Sequence, residues 1–392
     1  MIPDRSGFIP VAKPWMGERE AEAARRAILS GWVTQGPEVA AFEREFAAFT
    51  GAPYACAVSN CTTALHLALL AVGAGPGDEV ITVSHSYIAT ANSIRYCGAI
   101  PVFVDIEPAT FNLDPDLLEA AVSDRTRAIL CVHQLGMPAN LEAILRIAGR
   151  HSIAVVEDAA CAVGSEIQRN GKWEKIGKPH ADIACFSFHP RKLMTTGDGG
   201  MLTTANPEFD RNFRLWRNQG MSISDAVRHQ SAQVTFEDYP ALGYNYRMTD
   251  IQAAIGREQL QRLPEIVARH RALAARYHDR LAGVPGVTVP GEPRFARSNW
   301  QSYCARIPQP CDQKAVMQFM LDRQIATRRG VMCAHQEGAY RGESYRAAGP
   351  LTHSEVARDR AIVLPLFYQM TEAEQDRVVA TLADAISATG KP

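Results

Sequence analysis

The sequence has no excess of charge of one sign, no long apolar run and no paired cysteine motif, and each absence excludes a class of protein. Its 41 Lys and Arg side chains against 42 Asp and Glu give a formal net charge of -1, without the basic surplus that binding to a phosphate backbone requires. We therefore expect no nucleic-acid partner. No apolar run approaches the roughly 18 residues of a membrane span, and residues 1–5 lack a signal-peptide pattern. These features predict a cytoplasmic protein without a membrane partner.

The nine cysteines are scattered, without a Cys-x-x-Cys pair or the Cys/His spacing of a zinc site. This pattern favours free thiols in a reducing compartment, most of them small core residues, and we expect no metal. The chain has 392 residues, of which 46% are apolar and 21% charged. Such a composition is typical of a globular enzyme with room for two or three domains.

Short β-branched or apolar runs alternate with helical stretches through the first 250 residues. This alternation predicts an α/β fold built on a mostly parallel sheet flanked by helices. The predicted strands are 54–58, 79–83, 101–105, 128–132, 154–157, 183–187 and 200–203, and the predicted helices are 62–72, 89–96 and 141–150.

The pattern changes after residue 250. A long amphipathic stretch over 251–281 contains Pro264, which predicts an interruption or a kink, and a Gly/Pro-rich connector follows at 283–293. We predict a large α/β domain over 1–250 and a smaller α+β domain over 251–392. The elements expected in the smaller domain are a strand near 300–307, a helix over 312–323 and a last helix opened by a capping box of Thr371 and Glu374.

Two residues of the first domain suggest cofactor chemistry. Lys192 ends the run FSFHPRK at 186–192, and Asp158 ends an apolar run 34 positions earlier. An enzyme of pyridoxal phosphate (PLP) needs an amine that holds an aldehyde as a Schiff base and a buried carboxylate that keeps a pyridine nitrogen protonated. Ligands also bind at the carboxyl ends of strands in open α/β sheets. The alternatives are a solvated surface lysine, and a structural ion pair or helix cap for the aspartate.

Three further features could serve the same cofactor. Small polar residues at 59–66 lie between a strand and a helix, where free backbone amides attract a phosphate. Ser187, five positions before Lys192, could hold the same phosphate. Tyr87, at another strand end, could stack on a cofactor ring. The alternatives are an ordinary helix cap for 59–66 and a core aromatic for Tyr87.

Four ordered strings together resemble a known family. They are SNCTTALH at 59–66, EDAA at 157–160, FSFHPRK at 186–192 and GYNYRMTDIQAA at 243–254. With them, the chain closely resembles the DegT/DnrJ/StrS family of sugar aminotransferases, from about Ile9 to 364–367. The resemblance implies a fold-type I enzyme with PLP as its cofactor.

By that resemblance, Lys192 matches the family's Schiff-base lysine and Asp158 its carboxylate at the pyridine nitrogen. Tyr87 falls where the family has a ring-stacking aromatic. Asn245 matches an asparagine that reaches the phosphate from the neighbouring subunit, which implies a homodimer with shared active sites; the alternative for Asn245 is a turn residue. The family's phosphate cradle falls on Cys61, Thr62 and Ser187.

The chain departs from the family pattern near the expected cofactor. Cys161 stands where the family commonly has His or Gln near the cofactor's ring oxygen, and a thiol is a weak hydrogen-bonding group. Cys61 replaces a frequent glycine, which should matter little because backbone amides bind the phosphate. Lys192 is retained, whereas relatives that dehydrate sugars have histidine there, so transamination is favoured.

The function implied is transfer of an amino group from glutamate to a keto group of a nucleotide-linked keto-deoxy sugar. His-Pro-x-Lys followed by Thr-Thr-Gly looks more like the enzymes that aminate C4 than those that aminate C3. The alternatives are a keto-cyclitol acceptor, a PLP-binding regulatory protein without turnover, and another fold-type I reaction such as sulfur transfer, for which Cys333 is the nearest candidate thiol. A solvated surface position is the alternative for Arg328. The candidates for contacts with the acceptor are Trp32, Thr34, His189, Arg328 and His335.

Overall fold

The computed structural model describes residues 7–223, 228, 233–234, 236–342 and 345–390. Residues 1–5, on which the signal-peptide argument rests, lie outside these ranges. The helices are α1 Glu18–Leu29, α2 Pro37–Thr50, α3 Cys61–Ala71, α4 Ala89–Tyr96, α5 Leu118–Ala121, α6 Leu141–His151, α7 Pro207–Trp216, α8 Asp250–Leu281, α9 Gln313–Asp322, α10 Thr352–Arg360 and α11 Glu372–Thr389. Short 3-10 helices occupy Pro115–Leu117, Gln134–Gly136, Ala334–Gln336 and Gly338–Tyr340.

The strands form one large and two small sheets. They are β1 Tyr54–Val58, β2 Glu79–Val83, β3 Ile100–Val104, β4 Thr126–Val132, β5 Ala154–Asp158, β6 Glu166–Arg169, β7 Lys172–Lys175, β8 Ile183–Ser187, β9 Gly200–Thr204, β10 Ala296–Arg297, β11 Tyr303–Arg306, β12 Arg328–Arg329, β13 Arg346–Ala347 and β14 Ala361–Leu364. The large sheet has eight strands in the order β1-β9-β8-β5-β4-β2-β3-β13, and the small sheets are β10-β6-β7 and β11-β14-β12.

The large sheet is mostly parallel, and the predicted α/β fold is confirmed. Strand β9 runs antiparallel to its neighbours β1 and β8, while every pair from β8 through β5, β4, β2 and β3 to β13 is parallel. Strands β2 and β8 are buried along their whole length. Burial on both faces explains why they read as continuous apolar runs rather than as alternating ones. The parallel order brings the carboxyl ends of β2, β4, β5 and β8 to one edge of the sheet.

Helix α8 joins two hydrophobic cores. Leu260 and Leu263 in its first half pack into the core beneath the large sheet, and Leu273 and Tyr277 in its second half pack into the core around β11 and β14. The predicted boundary at 250/251 stays a prediction, but the packing changes partner inside this helix. Ile9 packs into the second core, far along the chain from its neighbours there.

Of the two outcomes predicted at Pro264, the interruption of the long helix is wrong, and the kink stays a prediction. Helix α8 runs unbroken from Asp250 to Leu281 with Pro264 inside it. Proline removes one backbone hydrogen bond and crowds the carbonyl four residues earlier. Buried side chains on both sides, among them Leu260 and Ile266, hold the helix against the cores and outweigh that loss.

The last helix begins with the predicted capping box, in which the Thr371 hydroxyl accepts from the Glu374 amide and the Glu374 carboxylate accepts from the Thr371 amide at 2.7 Å. None of the helices in the described ranges combines the length and apolar character that a bilayer crossing needs.

The sequence analysis did not predict every element of the fold. The unpredicted helices and strands are α1, α2, α5, α7, α10, the β6-β7 hairpin, β10, β12, β13 and β14.

Candidate active site

Asp158 ends β5, a central strand of the large sheet between β4 and β8. Its side chain is 5% exposed. One carboxylate oxygen accepts a hydrogen bond from the Thr90 hydroxyl at 2.7 Å, and the other accepts from the Ala160 amide at 3.2 Å. Burial raises the pKa of Asp158, and these hydrogen bonds and the positive charge of Lys192 only partly offset it. The charged carboxylate therefore lacks full compensation within the chain, as expected for a group that binds a cation.

Thr90 is a site residue that sequence reasoning missed. It lies in the first turn of α4 and donates to Asp158, while its hydroxyl also pairs with the Ser86 hydroxyl at 2.8 Å. The sequence contained only a weak indication of this role. Ser86 and Thr90 are four positions apart at the start of a helix, and such pairs are common in helix caps. Its amide donates to the carbonyl of Tyr87 at 3.0 Å. Thr90 thus connects the predicted stacking residue to the predicted cofactor carboxylate.

A buried histidine and glutamate pair fixes the end of β5 from the other side. Ala139 donates its amide to Nδ1 of His133 at 3.0 Å, so the ring proton is on Nε2, which donates to Glu157 at 2.8 Å. The His133 amide also donates to the carbonyl of Asp158 at 3.0 Å. Since side chains alternate along a strand, Glu157 and Asp158 point to opposite faces, and holding the first orients the second.

Lys192 and Cys161 meet at the same edge. The Lys192 ammonium lies 3.0 Å from the Cys161 sulfur, and its amide donates to the carbonyl of His189 at 2.8 Å. Burial disfavours the charged lysine, but the interaction with Cys161, with further contributions from Cys61 and Asp158, outweighs it, so the pKa of Lys192 is raised. Cys161 follows Asp158 by three residues, which brings the predicted amine and the predicted carboxylate into one site.

The first turn of α3 forms the other wall. Asn60 caps the helix by accepting from the Thr63 amide at 3.0 Å, so the ordinary cap is present. The first intrahelical bond runs from Ala64 to Asn60, which leaves the amides of Cys61 and Thr62 at the helix dipole's positive end. Burial, and after it the negative charge of Asp158, raises the pKa of the Cys61 thiol well above its usual range.

Gly200 packs directly against this helix start. A Cβ at Gly200 would lie 2.5 Å from the carbonyl carbon of Asn60 and 2.8 Å from the amide nitrogen of Cys61. Gly200 also pairs with Ser187 across β8 and β9. The absence of a side chain thus lets β9 pack against the free amides of α3, with Ser187 on the neighbouring strand, and free amides at a helix start suit a phosphate.

Tyr87 and Asn245 lie at the surface of the chain. Tyr87 is 62% exposed, so it is not the core aromatic that was its alternative. Asn245 is exposed between Tyr244 and Tyr246, whose rings stack 4.9 Å apart and pack onto His66. Its backbone bridges to Asn218. The side chain of Asn245 is thus free of the packing that holds its neighbours.

The N-terminal candidates for acceptor contacts lie in a loop fastened to α8. Trp32 donates its ring N–H to the carbonyl of Gln35 at 3.0 Å, and the carbonyl of Thr34 accepts from the Asp250 amide at 3.1 Å. The Asp250 carboxylate accepts from the Gly36 amide at 2.7 Å. Among the described residues, no hydrogen bond joins this loop to Lys192 or Asp158, so the roles of Trp32 and Thr34 stay predictions.

The other three candidates differ in their surroundings. His189 is half-buried beside Lys192, and burial, with the charges of Arg191 and Lys192, lowers its pKa. Arg328 is exposed on β12. His335 uses both ring nitrogens within the chain, on the Ser84 hydroxyl at 2.6 Å and the Glu355 carboxylate at 3.1 Å. In this structure, His189 is therefore the best placed of the three to contact a substrate near Lys192.

Comparison with known proteins decides the family. The chain matches the model of the DegT/DnrJ/EryC1/StrS aminotransferase family over residues 14–383. It belongs to this family. The aminotransferase is 35% identical over 390 residues to the spore coat polysaccharide biosynthesis protein SpsC of Bacillus subtilis, covering 98% of this chain and 99% of SpsC.

Solved structures agree with this assignment. The aminotransferase TlmJ from Streptoalloteichus hindustanus is similar with a TM-score of 0.88 and 33% identity, over 97% of this chain and 100% of TlmJ. Spr1654 from Streptococcus pneumoniae, in its PLP form, is similar with a TM-score of 0.89 and 27% identity, over 97% and 99%. The structural neighbours have the fold-type I architecture, and the family depends on PLP. The chain is therefore a PLP-dependent sugar aminotransferase.

The geometry fits this cofactor. The under-compensated Asp158 carboxylate suits a pyridinium nitrogen, the α3 amides with Gly200 suit a phosphate, and Lys192 supplies an amine between them. We propose these residues, together with Cys61, Thr62, Tyr87, Cys161 and Ser187, as the PLP site. Within the described residues, no group of three His, Cys, Asp or Glu side chains is arranged to hold a metal ion.

Gly200→Ala should weaken cofactor binding. The added Cβ would meet the peptide between Asn60 and Cys61 at 2.5–2.8 Å and must displace it, with about 1–3 kcal/mol of overpacking strain. We expect a lower melting temperature and a raised PLP dissociation constant, measured by absorbance titration. The control is Gly149→Ala in α6, where a Cβ meets nothing within 4 Å. It should neither lower the melting temperature nor raise the PLP dissociation constant. Equal PLP affinity in the two variants would refute the cradle.

Asp158→Asn should stabilise the cofactor-free protein and weaken PLP binding. Because burial raises the pKa of Asp158 above its ordinary value, folding stability falls as the pH rises from the ordinary value to the raised one, and the asparagine removes this cost. The difference in melting temperature should narrow as the pH falls and the wild-type carboxyl takes up its proton. PLP affinity should drop about tenfold or more, the loss of one hydrogen bond to a charged group.

The matched control is Asp124→Asn, at an exposed position. It should change neither the melting temperature of the cofactor-free protein nor the affinity for PLP. A cofactor-free Asp158→Asn protein that melts below the wild type at neutral pH, or that binds PLP as tightly, would contradict the proposed role.

Proposed function

We propose that this aminotransferase moves an amino group from glutamate to the C4 keto carbon of a nucleotide-linked keto-deoxy sugar, in a homodimer with shared sites. The observation that carries the proposal is a lysine ammonium within 3.0 Å of Cys161, at the sheet edge where Asp158 is buried. An amine at this place can move protons, which a transaminase requires. The preference for C4 rests on the sequence resemblance around Lys192.

Each residue has a defined task in this proposal. Bound PLP supplies an aldehyde that exchanges the amino group and a pyridinium ring that withdraws electrons from the reacting carbon. Asp158 keeps the ring nitrogen protonated, and Thr90 orients Asp158. Nζ of Lys192 takes the proton from the α-carbon of glutamate and later delivers a proton to the sugar carbon that receives the amine. The α3 amides and Ser187 hold the phosphate.

His189 is suited to orient the acceptor. Its Nδ1 accepts from the Arg191 amide at 3.2 Å, so the neutral ring carries its proton on Nε2. Its lowered pKa keeps the imidazole neutral at physiological pH. A neutral N–H donor beside Lys192 can bind a sugar hydroxyl without adding a positive charge next to the reacting amine.

The structure disfavours sulfur transfer through Cys333. That side chain is fully buried, its sulfur donates to the carbonyl of Ser354 at 3.2 Å, and burial raises its pKa to about 12. A sulfur-transfer thiol must be mobile and must ionise. Cys333 meets neither condition.

Exposed apolar side chains near Asn245 support a homodimer. Exposed apolar side chains are a feature of association sites when they cluster, and Asn245, which is itself exposed, follows these side chains in the sequence. We also propose that the enzyme works in the cytoplasm, which the nine free cysteines support. The exposed apolar side chains are Val234, Phe236, Tyr239 and Leu242.

An acceptor panel tests the reaction. Purified enzyme with PLP and glutamate should aminate nucleotide-linked 4-keto-6-deoxy sugars in preference to 3-keto sugars and keto-cyclitols, as shown by mass spectrometry and by the NMR position of the new amine. Lys192→Met should lose at least about 10²-fold in rate, the usual contribution of a positioned acid-base group. The exposed Lys314→Met is the control and should keep full activity. A C3 amine, a cyclitol product, or PLP binding without a half-reaction with glutamate would favour the respective alternative.

Mixed dimers test the shared site. Lys192→Met and Asn245→Ala homodimers should each be impaired, whereas a heterodimer of the two, purified with different tags, contains one site with both residues intact. It should therefore regain activity that neither parent has. If Asn245 served the site of its own chain, both sites of the heterodimer would be defective and no activity would return.

A further inference from the structure

Cys161 differs from every other cysteine in its accessibility. All nine cysteines are free thiols, and eight of them are buried, while Cys161 is partly exposed. Burial raises the pKa of the Cys97 and Cys304 thiols to about 12, so these are inert core groups. A reagent that reacts with thiols from solvent therefore meets Cys161 first.

Cys161 is also the thiol that contacts a cation. Its sulfur lies 3.0 Å from Nζ of Lys192, which donates a hydrogen bond to it, and reactive cysteines are found beside cationic groups in partly exposed surroundings. The backbone is fixed, since Asn299 donates to the carbonyl of Cys161 at 2.8 Å and the Lys192 amide donates to that of His189. The pair is thus a held contact, and the raised pKa of Lys192 agrees with it.

We propose that Cys161 is a modification site through which peroxide or an alkylating reagent blocks Lys192. In the oxidation, the Cys161 sulfur attacks one oxygen of hydrogen peroxide, an S–O bond forms, the O–O bond breaks, and the leaving hydroxide takes up the thiol proton to become water. The sulfur is oxidised to a sulfenic acid and the peroxide is reduced. A dithiol reductant restores the thiol and leaves as its own disulfide with release of water.

Modification matters because of where the new atoms lie. An added oxygen or carbamidomethyl group on the Cys161 sulfur occupies the space next to Nζ of Lys192 and disturbs the contact between the sulfur and the ammonium. The effect on activity rests on the proposed role of Lys192, whereas the modification itself does not. Bound PLP would engage Lys192 and cover the thiol, so the cofactor-free enzyme is the sensitive form.

Alkylation mapping tests the site without an activity assay. Cofactor-free full-length enzyme is treated with iodoacetamide, and each cysteine peptide is followed by mass spectrometry over time. Cys161 should react about ten times faster or more than Cys311, which is 8% exposed and lies away from Lys192. Added PLP should slow the alkylation of Cys161 and of no other cysteine. The Lys192→Met substitution should also slow the alkylation of Cys161. Reaction of Cys161 no faster than Cys311 would overturn the proposal.

Peroxide tests the consequence. The wild type, Cys161→Ala and Cys311→Ala are each compared with and without peroxide, and PLP rebinding is read from its absorbance alongside activity. Wild type and Cys311→Ala should lose rebinding and recover it with dithiothreitol, while Cys161→Ala should lose none. Equal losses in Cys161→Ala would overturn the proposal. If the acceptor panel yields no aminated sugar while the peroxide experiment gives the expected changes in PLP rebinding, only the proposed reaction is contradicted.

Discussion

The buried carboxylate of Asp158 is the constraint on which the rest of the site depends. A carboxylate in the protein interior costs free energy unless it is paired or hydrogen-bonded. Here the chain provides a hydroxyl from Thr90 and one backbone amide, which orient the group without neutralising it. The chain therefore folds around a group that favours a bound cation, and a protonated pyridine nitrogen is such a cation.

Two layers behind this carboxylate make its position rigid. Strands β4 and β8 hold β5 on both sides, and the His133–Glu157 pair fixes the residue before Asp158. Both members of that pair are fully buried and hydrogen-bonded, so any movement of the strand end would leave polar groups unsatisfied. The site is precise because displacement would be costly.

The loop that carries Lys192 is held just as firmly. Phe188 donates its amide to Gly199 at 2.9 Å and accepts from the Thr196 amide at 3.0 Å, so the chain between β8 and β9 returns on itself. The Thr195 hydroxyl also donates to the carbonyl of Phe188 at 2.8 Å. The two threonines that follow Lys192 thus hold the loop by donating hydrogen bonds to the carbonyl of Phe188. A rigid loop and a rigid strand fix the distance between amine and carboxylate.

Much of this arrangement could be predicted from the sequence, because it depends on local pattern and on one rule of topology. Strand ends were legible from apolar runs, and parallel strand ends share an edge, so Asp158 could be expected near Lys192. The role of Thr90 could not be predicted, since its partner Asp158 is 68 positions away. The contact of Cys161 with Lys192 likewise became visible only in the three-dimensional structure. Pro264 misled because a local rule was outweighed by the packing of both helix halves.

The open side of the site explains why cofactor binding and association should be coupled. The sheet edge, α3 and the Lys192 loop form the proposed site within one chain, where Tyr87 is exposed, and the exposed Asn245 can serve the site of a second chain. On the proposed arrangement, a cofactor ring covers Tyr87 and a second chain brings Asn245 to the phosphate. Binding of the cofactor and association of the second chain would then involve the same part of the protein surface. The factor by which cofactor binding strengthens dimerisation is then equal to the factor by which dimerisation strengthens cofactor binding, because linkage between two binding equilibria is reciprocal.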